Sequence, residues 1–127
     1  MKKQLLILSI IAAGLLGCQN GKMAELRFCA DVRLEDPCYG EDIVFIQGTN
    51  VWAQLLLSPK FEDTAVTANF YGFQDGKRVF IESKVHELDE GQDIVMEALF
   101  INLCGDYEVE FLDTRGNLLA KGGFEIW

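Results

Sequence analysis

The sequence predicts an all-β domain: an antiparallel sandwich of seven to eight short strands behind a cleaved leader. Three observations carry this. Beyond Glu25, apolar and polar residues alternate with a period of two in several short runs, which is the pattern of strands with one buried face. Clusters of Gly, Pro, Asp and Asn break these runs every eight to twelve residues or so, a spacing that suits sandwiches and barrels. No strand–helix–strand alternation of the kind that builds parallel sheets is visible, and neither is an internal repeat or a low-complexity segment.

The elements follow in order. From Glu25 to Leu34 the alternation is regular: Leu26, Phe28, Ala30, Val32 and Leu34 share one face, and Glu35-Asp36-Pro37 ends the run. Asp42 to Gln47 is a compact apolar run stopped by Gly48-Thr49-Asn50. Val51 to Leu57 is the next strand, and Ser58-Pro59 ends it because proline cannot donate to a ladder. Thr64 to Phe73 puts Val66, Ala68 and Phe70 on one side and Tyr71 and Phe73 on the other. Gln74-Asp75-Gly76-Lys77 is a hairpin turn, since Asp-Gly supplies the positive φ that a two-residue turn needs. Arg78 to His86 pairs back, with Val79, Ile81 and Val85 expected inward and His86, on the face of Glu82 and Lys84, expected toward solvent. Asp89-Glu90-Gly91 turns the chain again.

Residues 93–103 fit two templates, because Ile94, Val95, Ala98 and Leu99 also suit a helix face. Strand neighbours and aliphatic content favour a strand. Asp106 to Asp113 sends Tyr107, Val109 and Phe111 inward, Asp113-Thr114-Arg115-Gly116-Asn117 turns, and Leu118 to Trp127 closes the domain.

Charge and cysteines narrow the function. The chain carries 11 basic and 20 acidic residues, a formal charge of −9. Losing Lys2 and Lys3 with a leader, and no acid, takes it to −11. This charge, with no Lys/Arg stripe, argues against nucleic acid and against an anionic membrane face as partners. Of the four cysteines, Cys18 lies at the end of the apolar leader. Cys29 and Cys38 are close in sequence and are the favoured disulfide, worth roughly 2–3 kcal/mol through loop closure. Cys38 with Cys104 is the rival pairing. Cys104, beside Gly105 in a turn, is expected to be buried or bridged. No Cys-x-x-Cys occurs and His86 is the only histidine, so no metal site is expected.

The start of the chain carries an address. Lys2-Lys3 followed by an apolar run from Leu5 is too short to span a bilayer and reads as a secretory signal. Leu15-Leu16-Gly17-Cys18 then resembles the lipobox of bacterial lipoproteins, with Leu16 bulkier than the family's usual small residue. The resemblance implies cleavage before Cys18, a diacylglycerol on its thiol, further acylation of the new amino group, and a membrane partnership through that lipid. In that family Asp after the cysteine retains the protein at the inner membrane. Gln19 therefore implies the outer membrane, facing the periplasm. The implied organisation is a signal peptide over 1–17, a tether over 18–24 and one domain over 25–127. No cofactor other than the covalent lipid is expected.

The last third carries a second resemblance. Gly105-Asp106-Tyr107-Glu108-Val109-Glu110-Phe111, then Gly116-Asn117-Leu118-Leu119-Ala120, then Phe124-Glu125-Ile126 resemble the final hairpin of bacterial immunoglobulin-like domains. The likeness extends over roughly residues 43–127. It implies an immunoglobulin-like sandwich in which Tyr107 bonds back to backbone a few residues upstream. Leu103 stands where the family's corner usually has Asp.

No nucleophile–base pair is legible, and the acid pairs Glu41-Asp42, Glu62-Asp63 and Asp89-Glu90 sit at strand ends, where acids face water. The expectation is therefore a non-catalytic, membrane-anchored module that binds a protein or an envelope polymer. Tyr71, Phe73 and Phe80 are the candidate binding face if they share an exposed side. Two further readings remain: an anchored inhibitor of a basic hydrolase such as a lysozyme or protease, which the acidic charge suits, and a secretion-apparatus lipoprotein.

Overall fold

The computed structural model describes residues 23–33, 35–101 and 103–127. The leader, the lipobox and Cys18 lie outside these residues. Among the described residues the chain forms eight strands: β1 (Ala24–Cys29), β2 (Val44–Phe45), β3 (Val51–Leu57), β4 (Ala65–Gln74), β5 (Lys77–Glu87), β6 (Ile94–Leu99), β7 (Gly105–Leu112) and β8 (Leu118–Ile126). One sheet runs β1-β3-β6 and the other β2-β8-β7-β4-β5. The protein is thus an all-β, immunoglobulin-like sandwich, and residues 93–103 take the strand rather than the helix template.

The core lies between the sheets. β3 contributes Val51, Ala53, Leu55 and Leu57, and β6 contributes Val95 and Leu99. Opposite them β4 sends Val66, Ala68 and Phe70 inward, and β7 sends Tyr107, Val109 and Phe111. At one edge Phe28 of β1 packs against Phe124 of β8 with ring centroids 5.0 Å apart. Gly122 permits this approach. A Cβ there would stand 3.1 Å from the Phe28 ring and 3.3 Å from Leu26, so a side chain would push the two sheets apart. The Tyr107 hydroxyl donates to the Leu103 carbonyl at 2.7 Å and forms the corner that opens β7.

Three expectations about the strands need correction. The first strand stops at Cys29 rather than running on to Leu34, and Val32 is exposed. The chain turns there because Cys29 is disulfide-bonded to Cys38 and Asp31 bridges to Tyr39. Leu34 lies outside the described residues. Second, the sandwich is not wholly antiparallel. β2 pairs in parallel with β8, and Gln47 N–H extends the contact to the Trp127 carbonyl at 2.8 Å. Third, Val79, Ile81 and Val85 are not buried. The β4–β5 ladder slips by one residue: Phe70 opposes Glu82 while Tyr71 opposes Phe80, which leaves Ile81 as the extra residue of a bulge. Beyond the bulge the parity of β5 inverts. Val85 turns outward, whereas Glu82, Lys84 and His86 oppose the inward-facing Phe70, Ala68 and Val66.

These inverted side chains have a task. Among the described residues β6 ends its sheet with an unpaired edge, and side chains of β5 reach across to it. Lys84 Nζ donates to the Ala98 carbonyl at 2.7 Å, and His86 Nδ1 lies 3.1 Å from Glu97 Oε1. Gln92 Nε2 donates to the Ile94 carbonyl at 2.8 Å and sits 3.1 Å from His86 Nε2. His86 is therefore half-buried in a polar strap, not on open surface as the alternation suggested.

The end of the sandwich that holds Met23 also holds two ordered turns. Asp63 accepts hydrogen bonds from the Thr114 amide and hydroxyl, and Asp113 accepts from the Arg115 and Asn117 amides. These donors hold both carboxyls below the ordinary aspartate value of 3.8, chiefly through the Thr114 amide for Asp63 and the Asn117 amide for Asp113. A carboxyl whose folded pKa is depressed stabilises the fold above its unfolded value, and that contribution fades as pH falls through the lower folded value. Thermal melts should therefore lose stability on acidification below about pH 4. Asp113→Asn should be less stable at neutral pH and show a flatter acid dependence. An acid profile unchanged by Asp113→Asn would contradict this account.

Candidate functional site

The five-stranded sheet turns one face away from the core, and the ladders fix what stands on it. At the hairpin end, Phe73 opposes Arg78. The next row crosses the sheet as Phe80–Tyr71–Glu108, followed by Ser83–Asn69–Glu110–Lys121 and then Val85–Thr67–Leu112–Leu118. The bulge creates the second row. Without it Phe80 would share the inward parity of Glu82, Lys84 and His86 instead of standing beside Tyr71.

The aromatic end of this face is held rigidly. The Tyr71 hydroxyl donates to Glu110 Oε1 at 2.6 Å, and Asn69 Nδ2 donates to the same oxygen at 3.3 Å. The Phe80 ring meets Tyr71 edge-on, with centroids 5.8 Å apart. The Arg78 guanidinium lies 4.1 Å from the Tyr71 ring centroid and donates to Glu108 Oε1 at 3.0 Å. Lys121 Nζ approaches that oxygen at 3.7 Å. Tyr71 is thus pinned at its hydroxyl and covered by a cation, while Phe80 is 57% and Phe73 38% exposed. The hydrogen bond to Glu110 raises the Tyr71 phenol above its ordinary 10.0, and the bond to Glu108 raises the Arg78 guanidinium further.

Chemically, such a surface suits binding. Surface ion pairs contribute at most about 1 kcal/mol each to stability, so the Arg78–Glu108–Lys121 cluster does little for the fold. It does fix an arginine and an aromatic ring in place before any partner arrives, which lowers the entropy lost on association. Tyr71, Phe73 and Phe80 all stand on this one side, so the three sequence candidates come together. Sequence reasoning missed Arg78, Glu108, Glu110 and Lys121. Their signal was present as charges at alternate positions, but only strand register shows which of them meet.

The other candidates fall elsewhere. Cys29 is fully buried and joined to Cys38, which removes the rival pairing of Cys38 with Cys104. Cys104 is an exposed free thiol, not a buried or bridged one, with Sγ 3.5 Å from Gln47 Oε1. It lies just before β7 begins, where the chain runs at the surface at the end of the sandwich remote from Met23. Trp127 is also at that end, 71% exposed, its indole N–H donating to Glu125 at 3.2 Å. No group of three or more His, Cys, Asp or Glu side chains among the described residues is placed to hold a metal ion. No helix of the described residues is long and apolar enough to cross a membrane.

The fold and this face define the class as an immunoglobulin-like β-sandwich with a pre-ordered aromatic and charged surface. No protein-family model matches the chain, and no curated protein matches it in sequence.

The Tyr71–Glu110 bond is directly testable. In an alkaline titration followed by phenol absorbance, Tyr71 should ionise above its ordinary value, and Glu110→Gln should bring it down. Tyr71→Phe should remove that component and cost about 1 kcal/mol of stability. A tyrosine titration unaffected by Glu110→Gln would show that the bond is not formed in solution.

Proposed function

We propose that this protein is a non-catalytic binding module of a bacterial cell envelope. It is tethered by lipid on Cys18 to the outer membrane, faces the periplasm, and holds a protein or envelope-polymer partner on the outer face of its five-stranded sheet. The reading rests on one observation above all. Phe73 and Phe80 are exposed beside Tyr71 and Arg78, which are already fixed by Glu110 and Glu108. Aromatic side chains and arginine, rigid before contact, are what the centres of interfaces are built from.

The anchor supports the same reading from the sequence side. A fully stretched chain from Cys18 to Met23 reaches at most about 18 Å. The sandwich therefore works close to the lipid surface, and its acidic charge keeps it from lying against anionic headgroups.

Two measurements test the two halves separately. Cys18→Ser should move the protein from the membrane fraction to the soluble fraction, and a variant still held in membranes would overturn the anchor. Crosslinking in the intact envelope should recover a partner with the unaltered protein. Phe73→Ser combined with Arg78→Glu should lower that recovery at least about tenfold, as loss of interface anchors does, with little change in melting temperature. Equal recovery by the double variant would exclude this face as the contact.

A further inference from the structure

Among the described residues the longest strand has no strand paired to one of its edges. β5 runs eleven residues, Lys77–Glu87, and is the last strand of its sheet. A free edge of this length presents unpaired backbone donors and acceptors, and proteins usually protect such an edge with charges that a second strand would bury. Here the charges follow a pattern. Glu82 and Lys84 lie on the inner side two residues apart, with Ser83 outward between them. On the outer side Phe80 and Val85 flank the same centre, and Arg78 and Glu87 lie beyond them.

We propose that this edge pairs with the β5 edge of a second copy of the chain, antiparallel, about a two-fold axis at Ser83. One register satisfies both faces at once. Ser83 opposes its own counterpart. Glu82 then opposes Lys84 of the other copy, and Lys84 opposes its Glu82. With the bulged Ile81 passed over, Val85 opposes Phe80, His86 opposes Val79, and Glu87 opposes Arg78. Every pair joins residues of the same face, as antiparallel pairing requires.

Charge complementarity points to a second copy. Within one chain Lys84 Nζ lies 3.8 Å from Glu82 Oε1 and also donates to the Ala98 carbonyl. A second copy sets a further Lys84 opposite Glu82 and a further Glu82 opposite Lys84, so that the four charges alternate in sign across the seam. Apolar exposure agrees with the seam, since Val85 is 69% and Phe80 57% exposed and the pairing sets each against the other. Glu87 is exposed, and Arg78, which binds Glu108, keeps further guanidinium donors for it. An isologous contact of this kind closes on itself and gives a dimer rather than a fibre.

The pairing goes beyond the proposed function and depends on neither the lipid nor the partner. It joins two five-stranded sheets into one, so that the two aromatic faces become a single continuous surface.

Disulfide trapping in the full-length protein tests it. In a Cys104→Ser background, Ser83→Cys places two thiols directly opposite each other, with Cβ atoms about 5 Å apart. Mild oxidation should convert most of the protein to a species of twice the chain mass. Lys60→Cys, at the end that holds Met23, should not crosslink. Adding Glu82→Lys should lower the trapped fraction about fivefold, because both symmetry-related pairs become repulsive. Adding Lys84→Glu to that variant should restore it. Absence of crosslinking at Ser83→Cys, or equal crosslinking at Lys60→Cys, would overturn the proposal. So would a Glu82→Lys effect that the compensating Lys84→Glu does not reverse in protein that melts normally.

Discussion

The slip of one residue between β4 and β5 is the constraint on which the functional architecture depends. On one side of it Phe80 stands beside Tyr71 on the outer face. On the other, Lys84 and His86 point inward and cap the free edge of β6. A regular ladder could do only one of these. With the inner parity of Lys84 carried through, Phe80 would turn toward the core and Tyr71 would lose its neighbour. With the outer parity of Phe80 carried through, the carbonyl of Ala98 would face water without its ammonium partner. A bulge re-aims side chains at the cost of one ladder position, and here it serves two surfaces at once.

The remainder of the fold is arranged to hold this hairpin in place. β4 is paired on both sides, to β5 and β7, and its Val66, Ala68 and Phe70 are buried. β7 in turn is set by the Tyr107 corner and by Phe124 of β8, whose ring stacks on Tyr107 at 5.4 Å. Glu108 and Glu110 alternate with Tyr107, Val109 and Phe111 along β7, so the residues that anchor the core also fix where the two carboxylates emerge. The carboxylates then orient Tyr71 and Arg78. Core packing and the outer face are thereby linked through a single strand.

Much of this was legible before any coordinates. β3 falls on residues 51–57 as the apolar run and its Pro59 stop dictate, and the Asp75-Gly76 hairpin turns with φ of 52° and 76°, the left-handed values that residue pair favours. What was not legible depends on interactions distant in sequence. Alternation in Arg78 to His86 is equally good in either parity, and only its pairing with β4 reveals the bulge. Val32 continues a strand pattern that the Cys29–Cys38 bridge cuts short. Val44 and Phe45 carry no mark of parallel pairing, because their direction is set by where the preceding loop delivers them to β8. The aromatic candidates of the outer face were visible as residue types. The carboxylates and cations that hold them were not, since Tyr71 and Glu110 are far apart along the chain and adjacent only across the ladder.

The central claim is that the outer face of the five-stranded sheet is the surface that meets a partner. Oxidative side-chain footprinting of the protein in intact cells, compared with the purified protein, tests it most directly. Phe73, Phe80 and Tyr71 should be labelled less in the cells, while Trp127 and Phe100, exposed at the opposite end from Met23, should be labelled equally in both. Equal labelling of the three aromatic residues, with protection at Trp127 instead, would contradict the claim and move the contact to that end of the sandwich.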